Sequence, residues 1–263
     1  MQYPLKPMSL GEILDTAFKV FTKNFVLLAG IGILMQVVAF GLAFAVTILA
    51  IESEAPMWIT FVLLMVPLIL ITPFATAVST KVIADRYLGL PTGIGSAFAF
   101  AFRILIPLLG AILVAGLLTG IGLLCLIIPG VILAIRFSLV GPATVVEQRG
   151  FLTALRRSGQ LVSGEYGKIF GLMVILWIAS ALVDAGVTAT LGADTWTTTV
   201  VGQLIAAVIG AYASTVWTIT YFERRCDKEG FDLQLLANAL GEEVEISEEQ
   251  EEVDEDDSWA TEQ

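Results

Sequence analysis

The sequence contains no histidine and only two cysteines, Cys125 and Cys226. Without histidine or a CxxC pair there is little basis for a zinc, haem or copper site, and no metal or cofactor is expected. The two thiols are expected near opposite membrane faces, which excludes a bridge between them. Charge is scarce too. Charged residues make up 15% of the chain and hydrophobic residues 57%, whereas soluble domains carry about 25% charged residues. There is no Walker sequence, GxSxG, HExxH or paired-carboxylate motif, so the chain is not expected to be an enzyme.

Long apolar runs fill the chain instead. From Ile104 to Val146 the only charge is Arg136. About 20 apolar residues cross a bilayer, so this block is long enough for two crossings and too long for one. Further runs extend the pattern to six predicted spans, at about 25–50, 57–80, 104–123, 126–146, 169–191 and 196–222. Pro67 and Pro73 lie within the second and are expected to kink it. Amphipathic segments precede each pair of spans, at Leu10–Phe21, Gly93–Phe102 and Phe151–Val162. The expected fold class is therefore all-α, a polytopic membrane protein of three helical hairpins, each preceded by an amphipathic cytoplasmic helix.

Ser9 and Glu12 form a capping-box pattern at the start of the first amphipathic segment. That helix either lies on the membrane surface or packs under its own bundle. Ser9, Glu12, Asp15, Lys19 and Lys23 interrupt the first 24 residues, which therefore do not read as a signal peptide. The membrane domain is expected over 1–240.

The formal net charge of -11 belongs to the end of the chain. Residues 241–263 hold 12 acids and no base, leaving 13 acids against 14 bases in the rest. This stretch is expected to be a disordered cytoplasmic tail. Thirteen of the 14 bases fall at the ends that six spans bring to one side, while the three opposite turns contain Glu52, Glu54 and Asp194. The positive-inside rule then predicts a multi-pass protein of the plasma membrane with both termini cytoplasmic.

Arg136 is the remaining base and is expected near mid-depth of the fourth span. Asp184 of the fifth span is its candidate partner, because either charge alone inside a bilayer costs at least a few kcal/mol. The pair reads either as a structural ion pair or as part of a transport cavity. Arg103, Arg156, Arg157, Arg225, Glu229 and Asp232 are candidates for a cytoplasmic ionic network or for contacts with lipid head groups.

Three stretches resemble a known group: PMSLGEILDTAFKVFTKNF, VVEQRGFLTALRRSGQLVSGEYGKIFG and YFERRCDKEGFDLQL. They are similar to uncharacterised prokaryotic six-helix membrane proteins, related to the membrane domain attached to some glycerophosphodiester phosphodiesterases. Tyr221, Arg225, Glu229, Gly230 and Asp232 match that group's closing pattern, whereas Glu223, Arg224 and Asp227 depart from it. The resemblance implies a six-helix membrane domain; the phosphodiesterase barrel of those relatives has no counterpart. The absent histidine, few lysines and acidic tail are also similar to proteins of halophilic archaea. The expected role is a non-enzymatic scaffold or a lipid- and partner-binding module. Membrane lipids, a protein partner or a second copy of the chain are the expected contacts, and no nucleic acid. The alternative is a transporter or channel with a cavity around Arg136.

Overall fold

The computed structural model describes residues 6–53, 56–91, 93–148, 150–192 and 196–233. Among these residues the chain is all-helical, with α1 (Leu10–Lys23), α2 (Phe25–Glu52), α3 (Met57–Leu88), α4 (Ile94–Cys125), α5 (Ile127–Phe137), α6 (Val140–Glu147), α7 (Phe151–Val162), α8 (Tyr166–Leu191) and α9 (Trp196–Glu229). Six stretches are long and apolar enough to cross a membrane: α2, α3, α4, α5 with α6, α8 and α9. They pair as three hairpins, α2 with α3, α4 with α5 and α6, and α8 with α9. The acidic stretch 241–263 lies outside the described residues.

The helices run past the predicted spans at the end that gathers the bases, here called the basic end. α3 and α4 each hold 32 residues, about 48 Å at the α-helical rise, against about 30 Å of hydrocarbon. Hydropathy marks where lipid-compatible sequence stops; it does not mark where the helix stops. The separate amphipathic helix expected at Gly93–Phe102 is corrected accordingly. Ile94 to Phe102 form the first turns of α4, with no break before Arg103. Pro67 and Pro73 likewise stay inside one continuous α3.

α1 starts where its cap predicts. Ser9 N–H donates to Glu12 Oε2 at 2.8 Å, and Glu12 N–H donates to Ser9 Oγ at 3.4 Å. The helix buries Ile13, Ala17, Val20 and Phe21 and packs along α9, where the Tyr212 hydroxyl donates to the Leu14 carbonyl at 3.2 Å. Of the two readings of this segment, the structure favours packing against its own bundle. α3 ends at Gly89, whose φ of 77° is in the left-handed region that glycine tolerates best.

Burial is uneven along the bundle. Near the basic end, Ala77 to Tyr87 of α3, Ile169 to Leu172 of α8 and Ala211 to Phe222 of α9 supply many buried side chains, and α1, α5 and α7 close around them. Towards the far end, Phe44, Trp58, Leu124, Ile127, Ile128 and Trp196 are exposed. A wide exposed apolar surface of this kind suits contact with lipid.

Two close approaches between helices leave no room for a side chain, one within the α4–α5 hairpin and one between α2 and α9. A Cβ on Gly130 would lie 2.5 Å from the Leu123 backbone nitrogen, and one on Gly32 would lie 2.8 Å from the Ala207 carbonyl oxygen. Small residues at helix contacts are what packing in lipid favours.

The fourth predicted span is two helices, and a side chain from α7 sits in the break between them. The buried Ser158 hydroxyl donates to the Arg136 carbonyl at 2.7 Å, and Leu139 N–H donates to Ser158 Oγ at 3.2 Å. One serine therefore bonds two of the backbone groups freed between α5 and α6, and a side chain inserted in this way is a recognised companion of helix kinks. Pro142, lacking an N–H, sits in the first turn of α6, where its absence is least costly.

Candidate functional site: the basic end of the bundle

α7 is an amphipathic helix wedged between the end of α5 and the end of α9. It buries Ala154, Leu155, Ser158, Leu161 and Val162. Its last carbonyls have no partner within the helix, and α9 supplies donors for two of them. Arg224 Nε donates to the Leu161 carbonyl at 2.9 Å, and Lys228 Nζ donates to that of Gln160 at 2.8 Å. Cations at a helix C-terminus also complement the helix dipole.

Two ionic clusters flank this junction. In the first, Arg157 Nε donates to Glu147 Oε1 at 2.5 Å, and its two terminal nitrogens engage both carboxylate oxygens of Glu229, NH2 to Oε2 at 2.7 Å. Tyr221 Oη donates to Glu147 at 2.9 Å, and Arg225 Nε donates to Glu229 at 3.3 Å. The Arg225 guanidinium also lies 3.9 Å from the Phe231 ring centre, a cation–π contact. The forked pairing with Glu229 is the strong geometry for this ion pair, and hydrogen bonding to that carboxylate pushes the Arg157 guanidinium above its usual range.

The second cluster is more deeply buried. Glu223 Oε1 accepts from Lys168 Nζ at 3.1 Å and from the Met8 N–H at 3.4 Å, which ties the start of the described chain to α8 and α9. Arg224 donates to Asp227 Oδ2 at 2.8 Å. Glu223 Oε2 is buried without a hydrogen-bond partner among the described residues.

The six charged candidates for this end thus divide. Arg157, Arg225 and Glu229 form one network. Asp232, half-buried beyond α9, forms no ion pair with them. Arg103 and Arg156 are exposed and have no acidic partner among the described residues. Glu147 and Ser158 were not singled out in the sequence, and Tyr221 only as part of the closing pattern. They act through partners 10 to 74 residues away, which no local pattern displays.

Arg136 and Asp184 are not brought together. Arg136 lies in the last turn of α5 and is exposed. Its side chain crosses α7 over Gly159, where an added Cβ would meet Arg136 Nε at 2.7 Å. The Arg136 side chain thus rests on α7, the helix that carries Arg156 and Arg157, and forms no ion pair with Asp184. Asp184 lies 16 residues beyond Lys168 along α8, about 24 Å further from the basic end. It is exposed and lines a cavity of about 480 Å³ between α8 and α9 with Trp177, Ser180 and Gly202.

Among the described residues no group of histidine, cysteine, aspartate and glutamate side chains could hold a metal ion. No curated protein and no solved structure matches the chain. A family model, described as a domain of unknown function (DUF7847), matches residues 8–222. This supports an uncharacterised membrane family, but neither the expected relation to phosphodiesterase-linked domains nor a halophilic source. The matched region begins at the Met8 tie to Glu223 and runs to Phe222, through all six membrane-length stretches, and the chain belongs to this family.

Proposed function

We propose that this protein is a non-enzymatic membrane module whose basic end binds anionic lipid. The observation that carries the reading is that the exposed Arg136 side chain of α5 crosses α7 at Gly159, three residues from the exposed Arg156. Arg136 lies across Gly159, and Arg156 is one helical turn before it, a spacing that makes the two sites neighbours on the helix surface. Both guanidiniums are exposed, and neither has an acidic partner among the described residues. Nearby Arg157, Lys168, Arg224 and Arg225 are all ion-paired.

Two adjacent cations without a counterion repel each other. A lipid phosphate relieves that repulsion and accepts several charge-assisted hydrogen bonds from the guanidiniums. Each basic residue near an anionic leaflet gains about 1 kcal/mol. Phe151 and Leu152 are exposed on the same helix and supply apolar surface for the acyl boundary. The positive-inside rule supports a cytoplasmic position for this end and for both termini, in a plasma membrane. A scaffold role follows the same logic, with the lipid contacts fixing the depth of a rigid basic end. A conduit around Arg136 has less support, because α5 turns Ala134, Phe137 and Ser138 towards the neighbouring cavity and Arg136 towards α7.

The test is retention of phosphatidylglycerol by protein purified from mixed phosphatidylcholine–phosphatidylglycerol bilayers, read by native mass spectrometry. Arg136→Gln with Arg156→Gln is expected to lower retention about tenfold or more, from the loss of two charged contacts. Gly159→Ala, which displaces Arg136 without removing it, is expected to give a smaller loss. Equal retention in all three proteins would sink the proposal.

A further inference from the structure

The interior of the bundle holds a second feature, independent of the arginines. A cavity of about 520 Å³ lies between α3, α4, α5, α6 and α9. A smaller one of about 280 Å³ lies between α2, α3 and α9, and the two share Thr76 and Ser214 in their linings. Neither is lined by a charged residue. Their polar groups are mostly hydroxyls, and one stripe of them runs along α3 as Thr72, Thr76, Ser79 and Thr80.

The hydrogen bonds of these hydroxyls are of two kinds. Thr76, Ser138 and Ser214 donate back to their own helices, to the carbonyls of Thr72 at 2.9 Å, Ile135 at 2.8 Å and Gly210 at 2.9 Å. Each therefore presents only an acceptor lone pair to the cavity. Ser79 and Thr80 are different. They are 5% and 1% exposed, they line the smaller and the larger cavity respectively, and neither has a hydrogen-bond partner among the described residues. Both hydroxyls therefore face the adjoining cavities with donor and acceptor free, and a partner from outside the chain can bond to them.

The lining specifies that partner. It must donate to the acceptor hydroxyls and accept from Ser79 or Thr80, which is what a hydroxyl does. It must be neutral, because no lining residue offers a counter-charge and an unpaired charge in an apolar interior is strongly disfavoured. Its body must be apolar, since Ile112, Leu123, Phe137 and Trp217 form the rest of the larger wall. We propose that these adjoining cavities bind a single neutral long-chain alcohol, with its hydroxyl at Ser79 and Thr80 and its chain in the larger cavity. The volume is within the usual range of about 300–1,000 Å³ for small-molecule sites.

The experiment uses the full chain in nanodiscs and three photoreactive probes of equal length: a diazirine-bearing hexadecanol, the matching hexadecanoic acid and the matching hydrocarbon. Crosslinked peptides are mapped by mass spectrometry. The alcohol is expected to label α3 around Thr76 and α9 around Ser214. Ser79→Ala with Thr80→Val is expected to reduce that labelling about tenfold, the loss of two hydrogen bonds, while labelling of the exposed face of α2 stays constant. Ile112→Phe, which fills the cavity without touching a hydroxyl, is expected to abolish interior labelling and serves if the double variant does not fold. Equal interior labelling by hydrocarbon and alcohol would show an apolar crevice only and overturn the proposal. So would equal labelling by the acid, or alcohol labelling that neither variant changes.

Discussion

Ser158 has two backbone partners that no other side chain supplies, so Ser158→Ala strands a carbonyl and an N–H at a buried kink. Each unsatisfied group costs about 1–3 kcal/mol. A fall in Tm of the detergent-solubilised protein is expected, and an unchanged Tm would show that the kink forms without the serine. A second residue-scale prediction concerns pH. The hydrogen bond from Lys6, with those of Ser9, holds the Glu12 carboxyl down at about 2, from an ordinary 4.5. A carboxyl with a lowered folded-state pKa stabilises the fold above its unfolded value and loses that contribution as pH falls through the folded value. The stability gap between wild type and Glu12→Gln is therefore expected to shrink from about pH 4.5 to pH 2, measured by thermal unfolding across that window. At this scale the sequence was partly legible. The capping box was readable because its members are three residues apart. The surroundings of Arg136 were not, because counting along an apolar run cannot reveal a serine inserted from another helix.

The three long helices show the same division. Their existence followed from hydropathy, but α3 and α9 continue at the basic end as buried, partly polar helices, while α4 begins there with mostly exposed residues. Tertiary packing there replaces lipid, and no composition rule distinguishes the two environments. The network across α6, α7 and α9 also depends on spacing that only the fold creates. Arg157→Met would leave Glu147 and Glu229 facing each other across the gap. A loss of about 2 kcal/mol is expected, below the roughly 3–5 kcal/mol of a fully enclosed pair, because Arg157 remains 20% exposed. Adding Glu229→Gln to Arg157→Met is expected to recover part of the loss by removing the charge of one of the two facing carboxylates. A double-mutant cycle checks this, and strictly additive losses would mean that the two groups are not coupled.

The whole molecule is a packed, ion-paired basic half joined to an apolar half with little burial. Sidedness belongs to this scale. In a background without Cys125 and Cys226, Ser53→Cys is expected to react with an impermeant maleimide from outside intact cells, and Thr153→Cys only after permeabilisation. The reverse pattern would invert the topology inferred from the bases. The junction of α7 with α9 also has a consequence for how the chain is made. Arg224 closes on Leu161 across 63 residues of sequence, and Arg157 reaches Glu229 across 72. When α7 leaves the ribosome, its carbonyl partners and Glu229 have not yet been translated. The earlier hairpins must wait beside an incomplete joint until α9 arrives. The synthesis of α9 thus acts as a completion latch, and a chain stopped short of it would present an open seam to membrane proteases.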